Sequence, residues 1–354
     1  MTARLVEAER HIAVVARATP VNLKTELEAL EADFAAGRPR PARFRYEPAP
    51  PHALEGDLLR LADVLAREPH PLAALYRERA EELALEHRMT TRVGTRDLWR
   101  LARERYRTSP ALGEAADEVA SRWLEAPASG AAAASECVRS DDEGEPQSLV
   151  SRLTAELGAR RLPVRVATTD RIAALAATGD GLVVVARGRW LSLEDVERTV
   201  LHEIEGHVMP RERAHRLTPG LFRVGTAKGS DDQEGRALVL EERHGHLGPS
   251  RRRELALRHL AARAVEREQD FVETVALLRD RGAPLGESLR LAARAHRGGG
   301  LAREIVYLPA YLTVKDALER APALDDTLGS GRIAVGHAPL VRDHARPLVC
   351  ALRS

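Results

Sequence analysis

The sequence predicts a helix-rich α+β fold with a small β-sheet and an N-terminal helical region. Three observations carry this. Apolar residues recur at helical spacing along most of the 354 residues. Short β-branched runs are confined to 164–166 and 181–186. The composition also breaks once, at 126–147, where Ala, Ser, Gly and acidic residues replace any sustained apolar face. The expected organisation is therefore a helical region over 1–125, a linker over 126–147 and a second domain over 148–354.

In order along the chain, 2–17 and 21–35 read as helices, the second ended by Gly37 and the prolines that follow. The stretch 39–51 holds five prolines and should be extended. Amphipathic segments follow at 53–67, 71–87 and 95–106; Leu58, Leu61, Val64 and Leu65 mark one buried face. After the linker come a helix at 148–160 and the two strands. Ser192 and Asp195 then form a helix-opening box. Leu193, Val196, Val200, Ile204 and Val208 keep helical spacing up to Pro210. Further helices are expected at 234–245, 250–280, 285–296 and 313–320. The strand at 182–186 could pair with an extended substrate.

Composition narrows the function. With 44% hydrophobic and 30% charged residues the chain excludes collagen-like, coiled-coil-only and wholly disordered classes. No apolar run approaches the ~18 residues of a membrane span, and the charged N-terminus lacks a leader's apolar stretch. Two cysteines, Cys137 and Cys350, make no disulfide framework, so a cytoplasmic location is expected, with no membrane partner. A net charge of +1 gives nucleic-acid binding no support. Only three of the 54 basic residues are lysines, a bias towards arginine.

The chemistry sits in His202-Glu203-Ile204-Glu205-Gly206-His207. Two imidazoles about a turn apart can chelate zinc, and a neighbouring glutamate can take a proton from water activated there. The histidines stand at i and i+5, which a regular α-helix would splay by roughly 140°. A one-residue π-bulge would realign them, and Gly206 permits the distortion. A second segment, Gln233-Glu234-Gly235-Arg236-Ala237, offers a third ligand, Glu234. By spacing alone Glu205, Asp231, Glu241 and Glu242 compete with it. His244 with His246 could form a second metal site, and Arg251–Arg253 could hold phosphate. Both read more simply as a polar helix end and a solvated helix start. Gly298–Gly300 reads as a turn, and Cys350 lacks any nucleophile signature.

The pair HEIEGH and QEGRA resembles the motifs of the MATCAP-like tyrosine carboxypeptidase family, including its bacterial QEGLA-motif members. Thr19-Pro20-Val21-Asn22, Phe44-Arg45-Tyr46 and Arg303-Glu304-Ile305-Val306-Tyr307-Leu308 resemble further family segments. The dipeptidyl-peptidase III family shares the H-E-x-x-G-H helix, but not these flanking matches. Departures are Arg236 for a Leu, Arg303-Glu304 for Lys-Asp, Ala310 for a Gly, and a divergent stretch at 209–224.

The resemblance implies a gluzincin-like metallopeptidase with one Zn2+ per chain on His202, His207 and Glu234. It implies Glu203 as catalytic carboxylate and a peptide or protein C-terminus as substrate. Tyr307 is implied as oxyanion stabiliser, and Arg303 as the group meeting the substrate's α-carboxylate. Mn or Co could stand for zinc. A non-catalytic zinc-binding regulatory protein and a zinc amidase acting on a small metabolite are the rival readings.

Overall fold

The computed structural model describes residues 1–48, 54–126 and 136–348. Helices dominate. The helix expected over 2–17 is two, Thr2–Ile12 and Val14–Arg17, because Ala13 turns left-handed at φ 38°. The next is Leu23–Ala35. Residues 39–48 run extended, as their prolines require, while 49–51 lie outside the described residues. Two side chains hold this strap. Asn22 donates to the Arg43 carbonyl (2.9 Å) and accepts the Arg45 N–H (2.8 Å). Glu26 accepts the Arg43 N–H (2.7 Å) and the Arg40 guanidinium (2.5 Å). The Tyr46 hydroxyl then accepts the Gly298 N–H at 2.9 Å, fastening the strap to the turn at Gly298–Gly300.

Leu54–Leu65, Pro71–Thr91 and Asp97–Arg105 follow as the three amphipathic segments predict. Pro110–Glu125 is an additional helix. Ser109 caps it by accepting the Leu112 N–H at 3.3 Å, with Pro110 in the first turn. Residues 127–135 of the expected linker lie outside the described residues. Within its remainder Cys137–Arg139 is a strand, antiparallel to Trp190–Ser192. Three residues are too few to show alternation.

The main sheet has three strands, with Leu182–Ala186 between Arg165–Thr169 (parallel) and Ala176–Gly179 (antiparallel). The central strand therefore offers no free edge to a substrate, correcting that expectation. The edge strand beside the site is Ala176–Gly179, which no β-branched run announces.

Ser192 caps the next helix as expected, accepting the Asp195 N–H at 3.1 Å. That helix runs Leu193–Leu201, turns π-helical over His202–Val208, and continues as Met209–Ala214. It passes through Pro210, where an end was expected. Val196, Val200, Ile204 and Val208 lie on the sheet and on Leu149, Leu153 and Leu157 of the Leu149–Ala159 helix. The opposite face meets the Gly229–Arg243 helix.

The helix expected over 250–280 is broken: Pro249–Glu266 and Phe271–Asp280 are separated by Glu268 at φ 61° and a capping box between Asp270 and Glu273. Leu285–Gly300 bends at its glycines, and Tyr307–Arg320 starts six residues earlier than its apolar spacing suggests. A large buried cluster draws on residues from Leu5 to Val341. No described helix is long and apolar enough to cross a membrane.

Candidate metal centre

The π-helical turn solves the spacing problem. Hydrogen bonds running i→i+5 widen the helix by one residue per turn, so residue 207 comes to lie over residue 202. The Met209 N–H accordingly donates to the Ile204 carbonyl, five residues back. In that register the Glu205 carbonyl would be served by residue 210, and proline has no N–H. Arg236 Nη1 donates to it instead, at 3.2 Å. The arginine that departs from the family motif thus completes the bulge. It is itself held by Asp325 at 2.7 Å.

Two small residues let the helices approach. A Cβ on Gly206 would lie 2.7 Å from the Ala237 Cβ, and one on Gly235 would lie 2.4 Å from the carbonyl group of Ala310. The segment Glu234-Gly235-Arg236-Ala237 therefore divides its work between a site carboxylate, a close contact, a donor and a second close contact. Gly206→Ala should cost about 1–3 kcal/mol of stability, as overpacked cores do. Denaturant unfolding against the unchanged protein measures it, and an unaltered midpoint would refute the contact.

The result brings His202, His207 and Glu234 together. Their Nε2 atoms are 3.3 Å apart, and Glu234 Oε2 lies 3.5 Å from the first and 3.7 Å from the second. Donors 2.0–2.1 Å from one tetrahedral zinc would be separated by roughly 3.3–3.4 Å. The orientation of the rings fits as well. His202 Nδ1 faces Glu241 Oε1 at 2.7 Å and His207 Nδ1 faces Gln233 Oε1 at 3.1 Å. Both partners accept, so each ring donates through Nδ1 and turns its Nε2 lone pair inward. Two lone pairs and a carboxylate converging within 4 Å form a donor set that could hold a metal ion.

The electrostatics agree. Burial alone would depress His202, but its bonds to Glu234 and Glu241 and the charges of Glu241 and Glu203 push its pKa up to about 10. Burial would raise Glu234, yet His207 and Arg303 hold it well below the usual carboxylate range. Glu241 is likewise held at about 2 against its burial, chiefly by Arg251, which grips it with two bonds of 2.8 and 2.9 Å.

The other predicted positions adjoin the cage. Glu203 is buried and accepts from Thr178 Oγ1 at 2.7 Å, so the Ala176–Gly179 strand orients it. Arg303 donates to Glu234 Oε1 (3.1 Å) and to the Tyr307 hydroxyl (3.3 Å). His202, Glu203, Arg303 and Tyr307 all line one cavity of about 320 Å³.

The rival carboxylates are occupied elsewhere: Glu205 with Arg160, Asp231 with Arg105, Glu242 with Lys315, and Glu241 behind His202. Among the described residues, His202, His207 and Glu234 are the cluster able to hold a metal ion. His244 instead bonds the Leu240 carbonyl (2.9 Å), and Cys350 lies outside the described residues. Arg251, expected at a solvated helix start, is partly buried behind Glu241. Sequence reasoning missed Gln233, Thr178 and Arg251 as supports. Only Gln233 left a signal, as the first residue of its motif.

Two histidines and a glutamate on adjoining helices, with a further glutamate beside them in a cavity, define a candidate hydrolase centre. Residues 33–351 match the family described as microtubule-associated tyrosine carboxypeptidase, and the chain belongs to it. The family implies a carboxypeptidase-type peptidase activity. No curated protein matches the chain.

Proposed function

We propose that the protein is a zinc metallopeptidase with a gluzincin-like site that removes a C-terminal residue from a peptide or protein. The observation that carries this is the 3.3–3.7 Å triangle of His202 Nε2, His207 Nε2 and Glu234 Oε2, with Glu203 beside it in the same cavity. His202, His207 and Glu234 would hold one zinc ion and leave a fourth position open. Zinc there supplies a Lewis acid that acidifies water and polarises the scissile carbonyl.

The chain's own residues do the rest. Glu203, fixed by Thr178, takes a proton from the attacking water and passes it to the leaving amine. The Tyr307 hydroxyl accepts from Arg303, which leaves its own proton free for the developing oxyanion. Arg303 has both Nη atoms on Glu234 and Tyr307, so its contribution to substrate binding is its charge. Glu241 and Gln233 fix the ring orientations of the two histidines.

The test pairs metal analysis with hydrolysis of a peptide library, each member made as free acid and as C-terminal amide. One zinc per chain and cleavage confined to the free acids is the expected result. Equal cleavage of acids and amides would mean an amidase or endopeptidase. One zinc with no hydrolysis would mean a non-catalytic zinc protein.

A further inference from the structure

The cavity beside the metal-binding side chains has two kinds of wall. Its apolar lining, Val15 and residues 174–177, comes from the N-terminal helices and from the start of the edge strand with the residues before it. The helices Leu193–Leu201, Pro249–Glu266 and Leu285–Gly300 contribute only arginine, glutamate and threonine to the lining. A terminal aliphatic or aromatic side chain lying against those three helices would find no apolar surface to bury.

Seven arginines line the cavity, and their bonds divide them. Arg251 spends all three nitrogens on Glu241 and Glu254. Arg303 gives both Nη atoms to Glu234 and Tyr307, and Arg332 gives both of its own to Glu9. Arg258 has Nε and Nη2 closed to solvent. Arg297 has Nε closed in the same way and Nη2 taken by Glu304. Two side chains remain. Arg198 meets Asp195 through Nη1 (2.9 Å) and keeps Nε and Nη2 free. Arg294 meets Glu304 through Nε (2.5 Å) and keeps both Nη atoms free. Neither free pair has a hydrogen-bond partner among the described residues, and neither is sealed from solvent as the Arg258 pair is. Each pair is a fork of two parallel N–H donors, the shape that takes both oxygens of one carboxylate.

The two forks share one wall. Arg198 stands one helical turn before the metal-binding His202, on the same helix face. Glu254, on the Pro249–Glu266 helix, acts electrostatically on both Arg198 and Arg294. Burial and then the neighbouring Arg251 hold the Arg198 guanidinium below its ordinary pKa, the mark of a charge short of counter-charge.

We infer that the forks of Arg198 and Arg294 receive the two carboxylates of an acidic terminal residue, so that the residue removed is glutamate or aspartate. This rests on the carboxypeptidase reading above and narrows its substrate to chains ending in a dicarboxylic amino acid. One fork takes the α-carboxylate and the other the side chain. Glutamine in the same place would offer its fork one acceptor oxygen and no charge.

The experiment measures equilibrium binding, without turnover, to zinc-loaded Glu203→Gln protein. The probes are one fluorescently labelled peptide ending in glutamate, glutamine or tyrosine, each as free acid and as C-terminal amide. The glutamate acid should bind at least about 10-fold more tightly than the glutamine and tyrosine acids, and than its own amide, as a charge-assisted pair of bonds provides. Adding Arg198→Met or Arg294→Met should each abolish one of these two preferences, and adding both should abolish both, with zinc content unchanged. Arg294→Met leaves Glu304 its bond to Arg297 (3.1 Å), and Arg198→Met releases only Asp195 in its helix's first turn. Free acids preferred over amides, with the three terminal residues bound alike, would overturn the inference and leave the carboxypeptidase reading intact. Glutamate selectivity that survives both substitutions would do the same. No preference for free acids in the parent would overturn both. Should the variants fail to fold, a crystal of the parent with free glutamate decides. Its two carboxylates within about 3.2 Å of the Arg198 and Arg294 forks support the inference, and any other seat refutes it.

Discussion

Replacing Glu203 by glutamine is expected to leave zinc bound and to lower turnover by at least ~10²–10⁴-fold, the usual cost of removing a general base. Glutamine has the size of glutamate and can still accept the Thr178 hydroxyl's bond at 2.7 Å through its amide oxygen, so the strand contact survives. What it lacks is any way to take a proton from water. The measurement is kcat on free-acid peptides with zinc content determined on the same preparation. Wild-type turnover in a zinc-replete Glu203→Gln protein would remove Glu203 from the mechanism and direct attention to another base.

Replacing a cage residue should act earlier, on the metal itself. His202→Ala, His207→Ala and Glu234→Ala should each lose stoichiometric zinc, and activity with it, because two remaining ligands do not hold a catalytic site tightly. Glu241→Gln is the informative companion. Glu241 touches His202 Nδ1 and not the cage centre, so its loss should weaken zinc binding by about 10–100-fold without abolishing it. Full zinc occupancy in Glu234→Ala at trace metal would mean that another carboxylate is the third ligand. Equal loss in Glu241→Gln and Glu234→Ala would mean that the two glutamates are not in separate layers.

Much of the centre was legible in the sequence because it is local. The i, i+5 histidines, the following Gly-His step and an apolar stripe on one side demanded a bulged helix, and the π-helical turn is that bulge. Glu234 needed the family resemblance, since five carboxylates had comparable claims. What separates them is position in three dimensions: Glu234 Oε2 lies 3.5 and 3.7 Å from the two Nε2 atoms, while each rival meets an arginine, a lysine or the outer side of a histidine ring instead. Boundaries failed where a single backbone conformation decided them, at Ala13 and Glu268, both left-handed and neither glycine. The passage of the helix through Pro210 was unreadable for a different reason. It depends on Arg236, which lies on another helix and fills the carbonyl that the proline leaves bare. Thr178 was invisible because it reaches Glu203 from a short edge strand with no chemical signature of its own.

The close contacts of Gly206 with Ala237 and of Gly235 with Ala310 bear on when the metal arrives. The first joins the two helices that carry the ligands, and the second seats the Glu234 helix on the Tyr307–Arg320 helix, both by steric fit. A small zinc finger is unfolded until zinc gathers its ligands, so its metal acts as a nucleus of folding. Here the gathering is done by backbones in contact, and the ligands should stand assembled before the ion enters. Loading then becomes a binding step on a chain already folded. The apoprotein should behave as a dormant enzyme that a chelator silences and added zinc reawakens without refolding. Its thermal midpoint should rise on loading only by what mass action on a preformed site provides.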